Sequence, residues 1–299
     1  MTCFHMPHDK IGNKKEVGAT IKMDRNDLGI TRIGKTEFQW GTRTYLMGII
    51  NLSPDSFSGD GFRDTDDAIL KAQQMVSDGA DIIDVGGEST RPGADPVTVE
   101  EELCRVLPFM RRAAGILNVP VSIDAYKVEV ARRALDAGAA MINDISGLKE
   151  TELVELAAQR KVPIILTSNE RGKNVKNILS TVDTTLHKLI DAALKAGVYR
   201  ESIIIDPGIG FGKTQEQNLE LLRRLDELKA INRPILLGTS RKSVIFNVVG
   251  EHAEARLVGT AASVAIGISK GADIIRVHDV KHMKLIAQMS DAIVRGSVK

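Results

Sequence analysis

The sequence predicts an α/β fold, a single-domain TIM (β/α)8 barrel with a short N-terminal extension, on three observations. First, a motif recurs along the chain: Asp78-Gly-Ala-Asp-Ile-Ile-Asp84, Asp136-Ala-Gly-Ala-Ala-Met-Ile-Asn143 and Lys270-Gly-Ala-Asp-Ile-Ile-Arg276, with a longer variant at Ala196–Asp206. Each reads as a helix end at Gly, then a β-branched run, then a polar residue; Gly accepts the positive φ of a helix terminus without a Cβ clash. Second, the runs are continuously apolar, as strands buried on both faces of a parallel sheet must be. Third, eight such runs alternate with amphipathic segments, which implies right-handed crossovers and a closed barrel. An open doubly wound sheet is the alternative arrangement of the same elements.

Residues 1 to about 30 are polar, with no sustained period, and read as a poorly ordered arm. A hairpin is expected near Thr31–Tyr45, and residues 31–299 form the barrel domain. The predicted strands are Tyr45–Ile50, Asp81–Val85, Val119–Ile123, Ala140–Ile142, Pro163–Leu166, Ser202–Ile205, Pro234–Leu237 and Asp273–Val277. Predicted helices include Asp66–Asp78, Glu100–Ala114, Lys127–Asp136 and Gln217–Ala230. The apolar segments Ala261–Ile268 and Leu285–Ile293 suit either core faces or a subunit interface.

The 299 residues carry a net charge of +1, which gives no electrostatic case for nucleic acid or a membrane surface. No apolar run approaches the ~20 residues of a membrane span. The first residues lack the apolar core of a signal peptide. The two cysteines, Cys3 and Cys104, read as free thiols. A cytoplasmic protein is expected.

Nearly every predicted strand ends in a hydrogen-bonding or charged residue, and in a barrel those ends converge on one mouth. Asp124, Asn143, Asp206 and Lys242 combine acceptors and donors suited to a flat heterocycle with an aminopyrimidinone edge. Arg91, Arg276 and His278 suit phosphate oxygens, and a helix starting near Ser243 adds free N–H groups for an anion. Taken singly, Asp144 and Asp279 read equally well as capping residues. Gly208–Thr214 imitates a phosphate-binding loop, but Pro207 stands where its first glycine belongs. The histidines lack zinc spacing, and His187 reads as solvated.

Seven ordered strings resemble the motifs of dihydropteroate synthases: Met47–Ser58, Asp84–Gly93, Ser122–Lys127, Asn143–Gly147, Asp206–Phe211, Gly238–Ser243 and Arg276–Val280. The resemblance runs from about Tyr45 to the C-terminus. It implies condensation of 7,8-dihydropterin-6-ylmethyl diphosphate with p-aminobenzoate, releasing diphosphate, in folate synthesis. It further implies that Asp124, Asn143, Asp206 and Lys242 hold the pterin. Thr90, Arg91, Arg276 and His278 would hold diphosphate, with Asn51 near a Mg²⁺ ion. Phe57, Pro92, Phe211 and Ser243 would frame p-aminobenzoate. Asp124, Asp206, Lys242 and Arg276 are the residues expected to act in catalysis. The loops after the first two strands would close over the intermediate. A homodimer and sensitivity to sulfonamides belong to the same family picture.

Two departures stand out. Thr167-Ser168 replaces the usual Met-His after strand five, and the first loop reads Ser58-Gly-Asp-Gly61 where Ser-Asp-Gly-Gly is common. Two other readings share the barrel. A folate-dependent methyltransferase would not need Ser240–Ser243 or Arg276-Val-His278, since it handles no diphosphate. A non-catalytic pterin-binding paralogue is the reading that Thr167-Ser168 motivates.

Overall fold

The computed structural model describes residues 28–53, 64–89 and 95–296. The N-terminal arm and the tip of the first loop lie outside these residues, as do Thr90–Ala94.

A hairpin comes first, β1 (Ile30–Ile33) pairing antiparallel with β2 (Thr36–Gln39). Gly34 takes φ +59° at its turn, a conformation that costs a glycine nothing. Eight parallel strands follow: β3 (Tyr45–Asn51), β4 (Ile82–Gly86), β5 (Val121–Asp124), β6 (Met141–Asp144), β7 (Ile164–Thr167), β8 (Ile203–Asp206), β9 (Leu236–Leu237) and β10 (Ile274–Val277). Their order is β8-β7-β6-β5-β4-β3-β10-β9. A parallel bridge between Ile205 and Ile235 joins the two ends, with the Ile205 N–H donating to the Pro234 carbonyl at 3.0 Å. The sheet is therefore a closed barrel, and the open-sheet alternative falls away. Each predicted strand is present, within two residues at either end, and most observed strands extend to include the polar residue after the apolar run.

The helices are α1 (Thr65–Ser77), α2 (Val99–Ile116), α3 (Val128–Asp136), α4 (Glu152–Arg160), α5 (Ile178–Lys195), α6 (Gln215–Arg223), α7 (Ser243–Val249), α8 (Ala253–Ser269) and α9 (Val280–Arg295). The predicted helix Gln217–Ala230 is two elements. α6 stops at Arg223, and a 3-10 helix runs Leu225–Ile231. Leu225, Leu228 and Ile231 are the buried residues of that second piece, and their spacing of three matches three residues per turn.

Strand residues alternate between two environments. One set, among them Leu46, Ile83, Ile123, Ile142, Leu166, Ile205 and Ile275, packs outward against the helices. The other set points into the barrel, where Met47, Ile82, Met141, Ile165, Ile204, Leu236 and Ile274 form one apolar layer. The hairpin caps this layer with Ile33, Phe38 and Trp40, and Tyr45 joins them from the start of β3. The Phe38 and Tyr45 ring centroids lie 4.8 Å apart, and the Trp40 indole donates to Thr31 Oγ1 at 2.8 Å. One end of the barrel is thus stoppered with aromatic side chains, which leaves the C-terminal end for a site.

Candidate active site

Two residues beyond the apolar layer, the inward positions become polar. They are Asp84 on β4, Asp124 on β5, Asn143 on β6, Thr167 on β7, Asp206 on β8 and Arg276 on β10, with Ser122 one inward step below Asp124, in register with Met141. The period of two that puts Ile82, Met141, Ile165, Ile204 and Ile274 inside puts this ring directly above them. Solvent barely reaches it: Asp84 and Thr167 are 0% exposed, Asn143 1% and Asp206 4%.

Arg276 ties the ring together. Its Nε donates to Asp84 Oδ2 at 2.6 Å and its Nη2 to Asp124 Oδ2 at 2.7 Å. The Asn143 amide donates to the same Asp84 oxygen at 2.9 Å. The sequence motifs place Arg276 with the anion ligands and Asp124 with the heterocycle; here the two side chains touch. Asp84 received no role from sequence alone, although it opens one of the seven strings.

Lys242 follows β9, at the residue preceding α7, and donates from Nζ to the Ile209 carbonyl at 2.7 Å. Its ammonium lies 4.7 Å from the centroid of the Phe211 ring, which also carries the Arg171 guanidinium at 5.1 Å. Burial pulls the Lys242 ammonium down to about 8, against the opposing pull of Asp206 and Asp124. Burial pushes the Asp124 carboxyl up to about 7; Arg276 resists this, while Asp84 adds to it. Asp206 is raised by burial as well, with Lys242 and the Gly208 N–H opposing.

The loops after β7 and β8 are pressed together. A Cβ on Gly208 would sit 2.0 Å from the Ser168 carbonyl oxygen, so only glycine fits. Lys213 clamps the contact, donating to the carbonyls of Ser168 (2.8 Å) and Gly208 (2.9 Å). The lysine of the imitation phosphate loop thus holds backbone.

His278 and Ser240 meet at 3.0 Å beside this ring, and Ser243 begins α7, whose N-terminus carries no side-chain cap. Asn51 ends β3, half-buried, paired in register with Gly86. Phe57, Thr90, Arg91 and Pro92 lie outside the described residues, as does Asp60. Asp144 and Asp279 both make structural contacts. Asp144 accepts from the Ser146 and Leu148 N–H groups at 2.9 and 2.6 Å, fixing the turn after β6. Asp279 pairs with Arg241 at 2.8 Å, and Arg241 itself adopts φ +57°. His187 is exposed on α5. Cys104 is an exposed free thiol.

One hub outside the ring supports it. Lys127 Nζ donates to Glu88 Oε2 (2.5 Å), Glu102 Oε2 (2.7 Å) and the Val97 carbonyl (2.7 Å). It fastens both stems of the loop between β4 and α2. Its own side chain is 11% exposed and that of Glu102 2%.

A barrel whose C-terminal mouth gathers three carboxylates, an amide and two cations, most of them buried, has the layout of an enzyme active site. Comparison with known proteins makes this specific. The family model described as pterin binding enzyme matches residues 47–278. The dihydropteroate synthase of Clostridium beijerinckii is 49% identical over 267 residues, covering 88% of this chain and 99% of that protein. That of Bacillus subtilis is 46% identical over 259 residues, covering 86% and 91%. Among solved structures, the Clostridium difficile dihydropteroate synthase in the presence of pteroic acid superposes with a TM-score of 0.82 at 47% identity, covering 86% of this chain and 99% of that one. A Yersinia pestis dihydropteroate synthase with a sulfonamide drug gives 0.85 at 34%, covering 90% and 100%. The chain belongs to the dihydropteroate synthases, transferases of folate biosynthesis.

Replacing Lys127 with Met leaves Glu88 and Glu102 without their cation. Removal of one partner from a buried ion pair costs about 3–5 kcal/mol. Lys127→Met is expected to lower the urea midpoint accordingly, with an unchanged m-value; a midpoint equal to that of the parent would show the hub contributes nothing.

Proposed function

We propose that the polar ring holds the dihydropterin of 7,8-dihydropterin-6-ylmethyl diphosphate, which the protein condenses with p-aminobenzoate to give dihydropteroate and diphosphate. One observation carries the placement. Among the described residues, the buried atoms with no hydrogen-bond partner in the protein include Asp84 Oδ1, Asp124 Oδ1, Asn143 Oδ1 and Thr167 Oγ1 of this ring and Ser122 Oγ just beneath it. Buried polar atoms are costly unless satisfied, and a heterocycle bearing an amine and ring N–H groups supplies the missing partners.

In this reading Asp124, Asp206 and Asn143 engage the pterin edge, while Lys242 donates to a ring acceptor. Arg276, with Thr90, Arg91 and His278, takes the diphosphate. Phe211 frames p-aminobenzoate together with Phe57, Pro92 and Ser243. The arylamine nitrogen forms a bond to the pterin methylene carbon as the carbon–oxygen bond to diphosphate breaks. That nitrogen then loses a proton to diphosphate or water. The carbon becomes electron-poor as diphosphate departs, and Asp124 and Asp206 stabilise it by their charge. No protein nucleophile takes part.

The donor set suits Mg²⁺. Asn51 offers a hard carboxamide oxygen at the mouth, and Mg²⁺ is commonly held by few protein oxygens with substrate phosphates and water completing its shell. When bound, the ion would neutralise charge on the departing diphosphate.

Among the described residues no helix is long and apolar enough to cross a membrane, and a cytoplasmic location fits that. A homodimer is supported by α8 and α9. Their inner faces are core, with Val264, Ile268, Met283 and Ala287 buried. Leu285, Met289 and Ile293 instead form an outer stripe, 63–71% exposed, so the segment Leu285–Ile293 is not wholly core. Leu285→Glu is expected to shift the sedimentation-measured mass to that of one chain; a parent that already sediments as one chain would refute the dimer. The methyltransferase and non-catalytic readings gain no support, because the relatives compared are named as synthases.

Purified protein given the pterin diphosphate, p-aminobenzoate and Mg²⁺ is expected to release diphosphate; release no greater than that of a Lys242→Ala variant would overturn the reading. The pH profile follows from the two shifted groups. Activity rises as Asp124 ionises near pH 7 and falls as Lys242 loses its proton above about pH 8. Lys242→Arg keeps its charge and is expected to remove the alkaline fall; an unchanged alkaline limb would assign it elsewhere.

A further inference from the structure

Thr167 stands out within the ring. Its side chain is 0% exposed and its hydroxyl has no partner in the protein. It pairs in register with Asp206, and its inward neighbour two residues back is Ile165 of the apolar layer. The next residue is fully engaged: the Ser168 N–H donates to the Asp206 carbonyl at 2.9 Å, its hydroxyl donates to Glu170 at 2.6 Å, and its carbonyl accepts from Lys213 at 2.8 Å. Ser168 is thus fixed by three hydrogen bonds, none of them to the Thr167 hydroxyl.

A valine would fill the same volume without burying an unsatisfied hydroxyl. The free protein therefore gives up stability by carrying threonine here. We infer that the Thr167 hydroxyl is a specificity-determining contact, hydrogen-bonding the polar edge of the bound heterocycle beside Asp206. This rests on the heterocycle lying on the ring, as proposed above. Asp206 supplies an acceptor only, whereas a hydroxyl both donates and accepts. Its addition favours a ring whose edge carries a further polar atom at that point, and disfavours an analogue with carbon there.

The test compares the parent with Thr167→Val, Thr167→Ser and Asp206→Asn, using calorimetric binding of the pterin diphosphate without p-aminobenzoate. Loss of one neutral hydrogen bond corresponds to a roughly three- to tenfold weaker Kd for Thr167→Val. The KM for p-aminobenzoate is expected to stay unchanged, and Thr167→Ser to bind within about twofold of the parent. The free Thr167→Val protein is expected to melt about 2–4 °C higher. A serving role in packing alone would leave Kd untouched. Parental affinity in Thr167→Val, with Asp206→Asn weakened, overturns the inference and spares the placement of the pterin. Parental affinity in both variants removes the placement itself.

Discussion

The mouth of the barrel is organised by one guanidinium. Arg276 lies between Asp84 and Asp124, donating to each at 2.6–2.7 Å in a space almost closed to water. Without it two buried carboxylates would face each other, and at that depth one would be forced to take a proton. The arginine is more than a counter-ion. Its planar fork fixes the direction of both carboxylates, and Asn143 is aligned through the shared Asp84 oxygen. A lysine would supply the charge without that geometry.

This arrangement follows from the strand period. A parallel barrel brings the ends of all its strands to one rim, and inward positions repeat every second residue. Isoleucine and methionine occupy one inward layer, the charged ring the next. The apolar layer excludes water from below and is itself sealed by the hairpin aromatics. That dryness raises the carboxyl of Asp124 and lowers the ammonium of Lys242 until both lie near neutral pH. The same burial leaves the hydroxyls of Ser122 and Thr167 unsatisfied by the protein. On the proposed reading, a ring so prepared costs stability in the free protein and gains when a flat polar ligand meets its unpartnered atoms.

Much of this was legible before any coordinates. The recurring Gly-Ala-Asp-Ile-Ile pattern announces parallel strands, and the polar residue closing each run marks the rim. Asp84 escaped notice because it sits inside an apolar run before two glycines, and its partner Arg276 lies 192 residues away. Only the adjacency of β10, β3 and β4 brings them together. The break after α6 was hidden for another reason: leucines spaced by three or four fit a helix of either pitch. The role of Lys213 depends on two loops packing against each other, which no local pattern encodes. The hairpin was legible as a hairpin, but its function as a stopper needed the barrel beneath it.

On the proposed placement of pterin and diphosphate, the contact between Arg276 and Asp124 couples the two sites. An anion that draws the guanidinium toward itself releases the Asp124 carboxylate to the heterocycle, and the effect must be reciprocal. Calorimetry of a pterin alone, of inorganic diphosphate alone, and of each in the presence of the other measures this coupling directly. The structure predicts that each ligand tightens the other by about fivefold or more. Strictly independent binding of the two would contradict the shared guanidinium as the organising element of the site.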